Sequence, residues 1–177
     1  MLVNNETGII QDIQQISSIA HEKGAFLLCD ATQAVGKIPV DVSALGIDLM
    51  PFSAHKFYGP KGSGALYVSR DAKIKLHPQI LGGGQQKNRR SGTLNVPGII
   101  GLGKACEIAK LEMEADAARI SELRDMLEKE LLSIDGAFIN GSHEHRLYTT
   151  SNICFPGVNA EQMIMRLQHI SVSNGSA

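Results

Sequence analysis

Two residues in this sequence are of a type and placement that could carry chemistry: Lys56 and Asp30. Lys56 closes the stretch Ser53-Ala54-His55-Lys56, which follows the apolar segment Ile47–Phe52 and precedes Tyr58-Gly59-Pro60. An amine at the exit of a buried strand, beside a histidine and among small residues, sits where it can be desolvated. Desolvation lowers a lysine pKa and makes the amine a nucleophile toward a carbonyl. The same stretch is compatible with a solvated loop lysine. Asp30 directly follows the apolar run Ala25–Cys29. A carboxylate at the C-terminal end of a strand occupies the usual ligand position of an open α/β sheet, although an aspartate there can also cap a helix. Gln33 lies close enough in sequence to reach the same ligand.

Taken together, a nucleophilic amine and a carboxylate are what pyridoxal 5'-phosphate (PLP) chemistry requires. The carboxylate keeps the pyridine nitrogen protonated, so that the ring accepts electrons from a carbanion. Competing motifs are weaker. Gly59-Pro60-Lys61-Gly62-Ser63-Gly64 lacks the spacing of a P-loop and reads as a turn into the next strand. His143-Glu144-His145 hints at a metal, but Leu147 stands where a zinc-protease helix needs its second histidine, so an exposed loop without metal is expected. Cys29 and Cys154 have no neighbouring basic residue to lower a thiol pKa.

The elements that must position these groups follow from periodicity. Ile10 to Lys23 predicts an amphipathic helix with Ile13, Ile16, Ile19 and Ala20 on one face, closed by Gly24. Ala25–Cys29, Ile47–Phe52 and Gly64–Val68 predict buried strands, and their alternation with helical patterns predicts an α/β layer with parallel pairing. Pro51 cannot donate to a central ladder, so an edge position or a bulge is expected there. From Val96 onward, Ile100, Cys106, Ala109, Met113, Ala117, Ile120, Leu123, Leu127 and Leu131 predict one long helix or two in series. A coiled coil is the alternative, but the charges do not settle on fixed flanking positions. Short strands at Ala137–Ile139 and Ser151–Phe155 and a helix from Asn159 to about His169 come next. The domain junction is expected inside the long helix. Residues 1–110 would form the C-terminal portion of a larger cofactor-binding domain, and residues 111–177 an incomplete small domain.

Composition narrows the function classes. The 177 residues are 43% hydrophobic and 20% charged with a net charge of -1, as in a soluble globular protein. That balance gives a nucleic acid or anionic membrane no electrostatic support. No apolar run approaches a membrane span, and the N-terminus lacks the pattern of a signal peptide. Three scattered cysteines argue for a reducing compartment and for small buried hydrophobes.

Four motifs, in order, then carry a resemblance. Val3-Asn4-Asn5-Glu6-Thr7-Gly8, Asp30-Ala31-Thr32-Gln33-Ala34-Val35-Gly36, Ser53 to Gly62, and Gly82-Gly83-Gly84-Gln85 with Arg90-Ser91-Gly92-Thr93 closely resemble the cofactor-binding core of the cysteine desulfurases. The resemblance implies fold type I of the PLP enzymes, an α/β architecture with a mostly parallel sheet in the large domain and a small α+β C-terminal domain. It implies that Lys56 forms the internal aldimine with PLP and shuttles the Cα proton, and that Asp30 pairs with the pyridinium nitrogen. Gln33 would hydrogen-bond the phenolic oxygen, Ser53 and His55 would bind the phosphate, and Asn5 would orient the substrate. Thr93 would reach the phosphate of the other subunit's cofactor in a homodimer. Pro51 and Gln86 depart from the family pattern at positions outside that inferred contact set.

The implied activity is removal of sulfur from L-cysteine, giving alanine and an enzyme persulfide. In a cytoplasmic setting the persulfide would serve a sulfur acceptor, such as an iron–sulfur scaffold, or tRNA thiolation. Lys56 and Asp30 would equally serve an aminotransferase or a selenocysteine lyase. The small-residue turn Ser173–Ala177 favours the desulfurase, because that family places its mobile cysteine loop there. The persulfide cysteine would be the next residue, and a substrate-stacking histidine and a carboxylate-binding arginine would also lie outside. The chain is thus expected to be an internal fragment, and a non-catalytic fragment is the rival reading.

Overall fold

The computed structural model describes residues 1–175 in two compact units. One comprises Asp12–Leu111, the other Met1–Gln11 together with the chain from Glu112 onward. The division inside the long helix falls between Leu111 and Glu112, beside the expected 110/111, and the first eleven residues group with the C-terminal part. The Ser173–Ala177 turn is described only as far as Gly175.

In the Asp12–Leu111 unit, helix α1 spans Ile13–Glu22. It starts later than the apolar pattern suggests because the Ile10 and Gln11 N–H groups are already committed, to the carbonyls of His145 and Leu2. Asp12 caps it, its Oδ1 accepting from the Gln15 N–H at 3.0 Å, which satisfies one of the donors orphaned at a helix start. The buried face is Ile13 and Ser17, whereas Ile16 and Ile19 are exposed. Helical spacing located the helix but misassigned its inner side. Ser17 Oγ donates to the Gly46 carbonyl at 2.7 Å. Beside it, Asp48 Oδ2 accepts from His21 Nε2 at 2.8 Å and from the Leu27 N–H at 2.8 Å. Burial works to raise the Asp48 pKa, but these two bonds and the charge of His21 outweigh it and hold the carboxyl below its ordinary range.

Strand β1 (Leu49–Ser53) pairs antiparallel with β2 (Gly64–Val68), with Pro51 opposite Leu66. On its other side β1 meets the Leu27–Ala31 segment in parallel. Leu49 N–H bonds the Leu27 carbonyl, Cys29 N–H the Leu49 carbonyl, and Ala31 N–H the Pro51 carbonyl. That alternation is a parallel ladder, registered by the bridge Leu28↔Leu49. The next rung needs a donor from residue 51, and proline has none. The expected strand Ala25–Cys29 is therefore reduced to one bridge. Pro51 itself is neither on an edge nor bulged, since it has neighbours on both sides. The mostly parallel sheet becomes, among the described residues, one parallel bridge beside an antiparallel pair.

Helix α2 (Val96–Leu131) is a single helix of 36 residues. Ile100, Leu123 and Leu127, expected on its inner face, are exposed, while Ala105 and Glu128 are buried. In the second unit β3 (Phe138–Ile139) pairs antiparallel with β4 (Ile153–Cys154). The core there holds Leu2, Val3 and Leu147. Arg146 and Glu128 form a buried ion pair at 2.8 Å with side chains 2% and 8% exposed. Arg146 Nε and Nη1 and Glu128 Oε1 have no further partner among the described residues. Helix α3 (Ala160–Arg166) is capped by Asn159, whose side chain accepts from the Gln162 N–H. The three cysteines are unpaired. Cys29 is buried and Cys154 half-buried, but Cys106 is exposed, correcting the expectation that all three are interior. No helix among the described residues is long and apolar enough to cross a membrane.

Two outcomes follow. Because the Asp48 pKa is depressed in the folded state, its contribution is complete above the ordinary carboxylate range and is lost as pH falls through the lower folded value. Denaturant unfolding as a function of pH should therefore show an acid limb that is shallower in Asp48→Asn than in the parent. For the buried pair, Arg146→Met alone should cost about 3–5 kcal/mol by leaving a buried carboxylate unpaired. Arg146→Met combined with Glu128→Met should recover most of that loss in the same measurement.

Candidate functional site

The site is built in the Asp12–Leu111 unit, where two chain segments run side by side and end together. The parallel ladder puts Asp30 in register with Pro51, two residues beyond the bridge Leu28↔Leu49. Side chains alternate along a strand and registered residues share a face. Asp30, Pro51 and Ser53 thus fall on one face of the sheet, while Cys29 and Ala31, 1% and 0% exposed, point to the opposite, interior side.

After β1 the chain enters a single 3₁₀ turn, Ala54–Phe57. Ala54 and Phe57 are buried, His55 is exposed and Lys56 is half-buried. The turn is closed by the Gly59 N–H bonding the Ala54 carbonyl at 2.9 Å. A side chain at position 59 would meet that same oxygen at 2.9 Å, so the close return of the backbone requires glycine. Tyr58 adopts φ 65° and caps the turn while almost wholly exposed.

After Asp30 the chain also winds into turns. Ala31 accepts from the Ala34 and Val35 N–H groups, and Ala34 from those of Lys37 and Ile38. Asp30 Oδ1 accepts from the Thr32 N–H at 2.8 Å, which fixes the carboxylate and leaves its second oxygen without a donor among the described residues. Gln33 Oε1 accepts from Lys37 Nζ at 3.1 Å. The two turns meet at Gly36, whose φ is +80°. A Cβ there would stand 2.6 Å from Phe57 Cβ, so the backbone of one turn lies directly on the ring-bearing residue of the other. Burial lowers the pKa of Lys37, and the charge of Lys56 lowers it further. Asp30, Gln33, Ser53, His55 and Lys56 therefore belong to one pair of adjoining turns.

The remaining expected residues, Asn5 and Thr93, belong to other segments of the chain. Asn5 is half-buried in the second unit, within a turn where Asn4 Oδ1 accepts from Glu6 N–H, Thr7 N–H and Thr7 Oγ1. Thr93 is exposed, just after a loop held by Ser91 Oγ on the Gly83 carbonyl at 2.7 Å and by Gly92 N–H on Gln85 Oε1 at 3.1 Å. Inside that loop Gln86, Lys87 and Asn88 have φ of 50°, 56° and 62°, a left-handed turn that non-glycine residues adopt only at a cost. His143-Glu144-His145 is an exposed loop turned by Ser142. Lys37 was not anticipated. Its only sequence signal was its place one helical turn after Gln33.

The family model for aminotransferase class-V matches residues 1–177. The chain belongs to the aminotransferase class-V family. Members of this family depend on PLP. It is 49% identical to the cysteine desulfurase IscS of Anaeromyxobacter sp. (strain K), over 100% of this chain and 44% of that protein. Among solved structures it superposes on a NifS-like protein from Rickettsia africae ESF-5 with a TM-score of 0.93 at 36% identity, covering 99% of this chain and 49% of that one. SspA in complex with cysteine matches with a TM-score of 0.76 at 34% identity, covering 99% and 48%. The chain thus spans less than half the length of these class-V relatives, and its fold is fold type I of the PLP enzymes.

The residues present fit that cofactor. A fixed carboxylate with one open oxygen suits a pyridinium nitrogen, and among the described residues Lys56 Nζ has no ion pair or hydrogen bond. The seam between the two turns should be sensitive to small changes. Gly36→Ala combines a disfavoured φ with a clash against Phe57 and is expected to cost about 1–3 kcal/mol, read as a lowered midpoint in denaturant unfolding.

Proposed function

We propose that this chain is the cofactor-attaching portion of a cytoplasmic, homodimeric cysteine desulfurase. The observation that carries the reading is the convergence of the Asp30 turn and the Lys56 turn through the Gly36–Phe57 contact, in a chain 49% identical to an IscS desulfurase along its whole length. When bound, PLP supplies an electron sink for charge developing at the substrate α-carbon.

The chain's own residues have distinct tasks. Lys56 Nζ attaches the cofactor and afterwards carries the proton at the substrate Cα. Asp30 holds a proton on the ring nitrogen, and Thr32 N–H keeps that carboxylate in place. Gln33 donates toward the ring oxygen. Ser53 Oγ and the His55 ring hold the phosphate, and the exposure of His55 leaves it free to do so. The substrate is L-cysteine, whose sulfur passes to an acceptor thiolate as a persulfide while alanine is released. Cys29 does not suit that acceptor: it is buried, and burial raises its thiol pKa. Burial raises the Cys106 thiol pKa as well, and on this reading the acceptor thiol is one outside the described residues, from which an iron–sulfur scaffold protein receives the sulfur.

A second reading rests on the coverage of the relatives. Because the chain spans 44% of the IscS length, the 177 residues alone bind PLP but turn over little L-cysteine. Mixing the purified chain with PLP should give the visible absorption band of a lysine-attached cofactor, and Lys56→Ala should abolish it. Sulfide release from L-cysteine under a reductant should stay far below that of a full-length relative. A band that survives Lys56→Ala would overturn the assignment. Sulfide release at full-length rates would overturn only the second reading.

A further inference from the structure

Lys37 has no task in the chemistry above, yet its position is specific. The turn after Asp30 places it one helical turn beyond Gln33, and its Nζ donates to Gln33 Oε1 at 3.1 Å. It is half-buried, and the glycine before it packs on Phe57, beside Lys56. A carboxamide has two unlike ends: the oxygen only accepts and the NH₂ only donates. A free glutamine can present either end by rotating its terminal torsion. A lysine nitrogen held on Oε1 removes that choice, because the Nε2 end would offer it donors against donors.

We propose that Lys37 is a positioning residue, whose bond to Gln33 Oε1 locks the amide so that Nε2 faces the cofactor's ring oxygen as a donor. This rests on the cofactor reading above. The lowered pKa of Lys37, from burial and from the charge of Lys56, is consistent with an amine enclosed in the same cluster. The lock belongs to the ammonium form, which only donates; a neutral amine also accepts and would let Nε2 turn toward it. Losing it costs the cofactor one oriented hydrogen bond.

The test uses the full chain with PLP as the probe and reads the dissociation constant, the ratio of the cofactor's long- and short-wavelength absorption bands, and the thermal midpoint. Lys37→Met should weaken PLP binding about five-fold, the scale of one net hydrogen bond, and change the band ratio. Lys37→Arg should restore both. Gln33→Glu keeps a partner for Lys37 and preserves the thermal midpoint, yet it should lose the donor and reproduce the Lys37→Met spectrum. In the Gln33→Ala background, Lys37→Met should have no further effect. Unchanged binding in Lys37→Met, or an equal loss in the Gln33→Ala background, would overturn the proposal while leaving the cofactor site standing. Absence of any band in the parent chain would overturn the cofactor reading and this proposal together. In the cofactor-free chain, the Gln33 side-chain amide NMR signals should shift in Lys37→Met whatever the cofactor does, and unmoved signals would also overturn the proposal.

Discussion

Everything at this site depends on one short stretch of parallel backbone pairing. The bonds from Leu49 to Leu27, from Cys29 to Leu49 and from Ala31 to Pro51 set two segments in a fixed register. A shift of one residue would turn Asp30 to the interior and bring Cys29 out, because successive side chains point to opposite faces. Cys29 and Ala31 are fully packed and Leu28 is exposed, so the interior opposes such a shift. The register is set by what is buried, and the half-buried carboxylate of Asp30 lies on the opposite face as its consequence. The missing rung at Pro51 shortens this ladder where the chains must diverge into their turns.

Those turns form a second level of constraint. Each bends sharply beside small residues: Ala31, Ala34 and Ala54 are wholly buried, and Gly36 and Gly59 permit close approaches that a Cβ would block. Small residues let two backbones approach, and Phe57 fills the space between them. The side chains left out of that packing, all half-buried or exposed, are those proposed to carry chemistry, namely Asp30, Gln33, Ser53, His55 and Lys56. Lys37 sits at the boundary, enclosed enough to be perturbed and close enough to Gln33 to orient it.

Much of this was legible in the sequence, for reasons that can be stated residue by residue. Gly64–Val68 was read with its observed limits, since an apolar run bounded by turn residues leaves few alternatives. The long helix from Val96 followed from its period. The inner face of α1 was misread because Ile16 and Ile19 look like core residues, whereas Ser17 is the one buried by its bond to Gly46. The strand at Ala25–Cys29 was overread because its partner carries Pro51, and a missing donor on one strand is invisible in the other's sequence. The pairing of Met1–Gln11 with residues after Glu112 depends on contacts distant along the chain, such as the bridge Ile9↔Arg146. Local periodicity cannot report these. The Gly36–Phe57 contact and the Lys37–Gln33 bond were hidden for the same reason.

A nucleophilic amine and a carboxylate in one cluster pose a problem, since left alone they attract. A direct ion pair holds an amine in its ammonium form and so opposes nucleophilic attack on a carbonyl. Among the described residues Lys56 forms no ion pair, and the arrangement accounts for that. Asp30 lies in register with Pro51 at the end of its strand, whereas Lys56 comes a full turn after the end of β1. The carboxylate is also tethered by the Thr32 N–H at 2.8 Å. The charge of Lys56 acts on another cation, Lys37, which itself is held by a neutral amide rather than an acid. Among the described residues the cluster thus keeps its acid and its amine from forming an ion pair with each other.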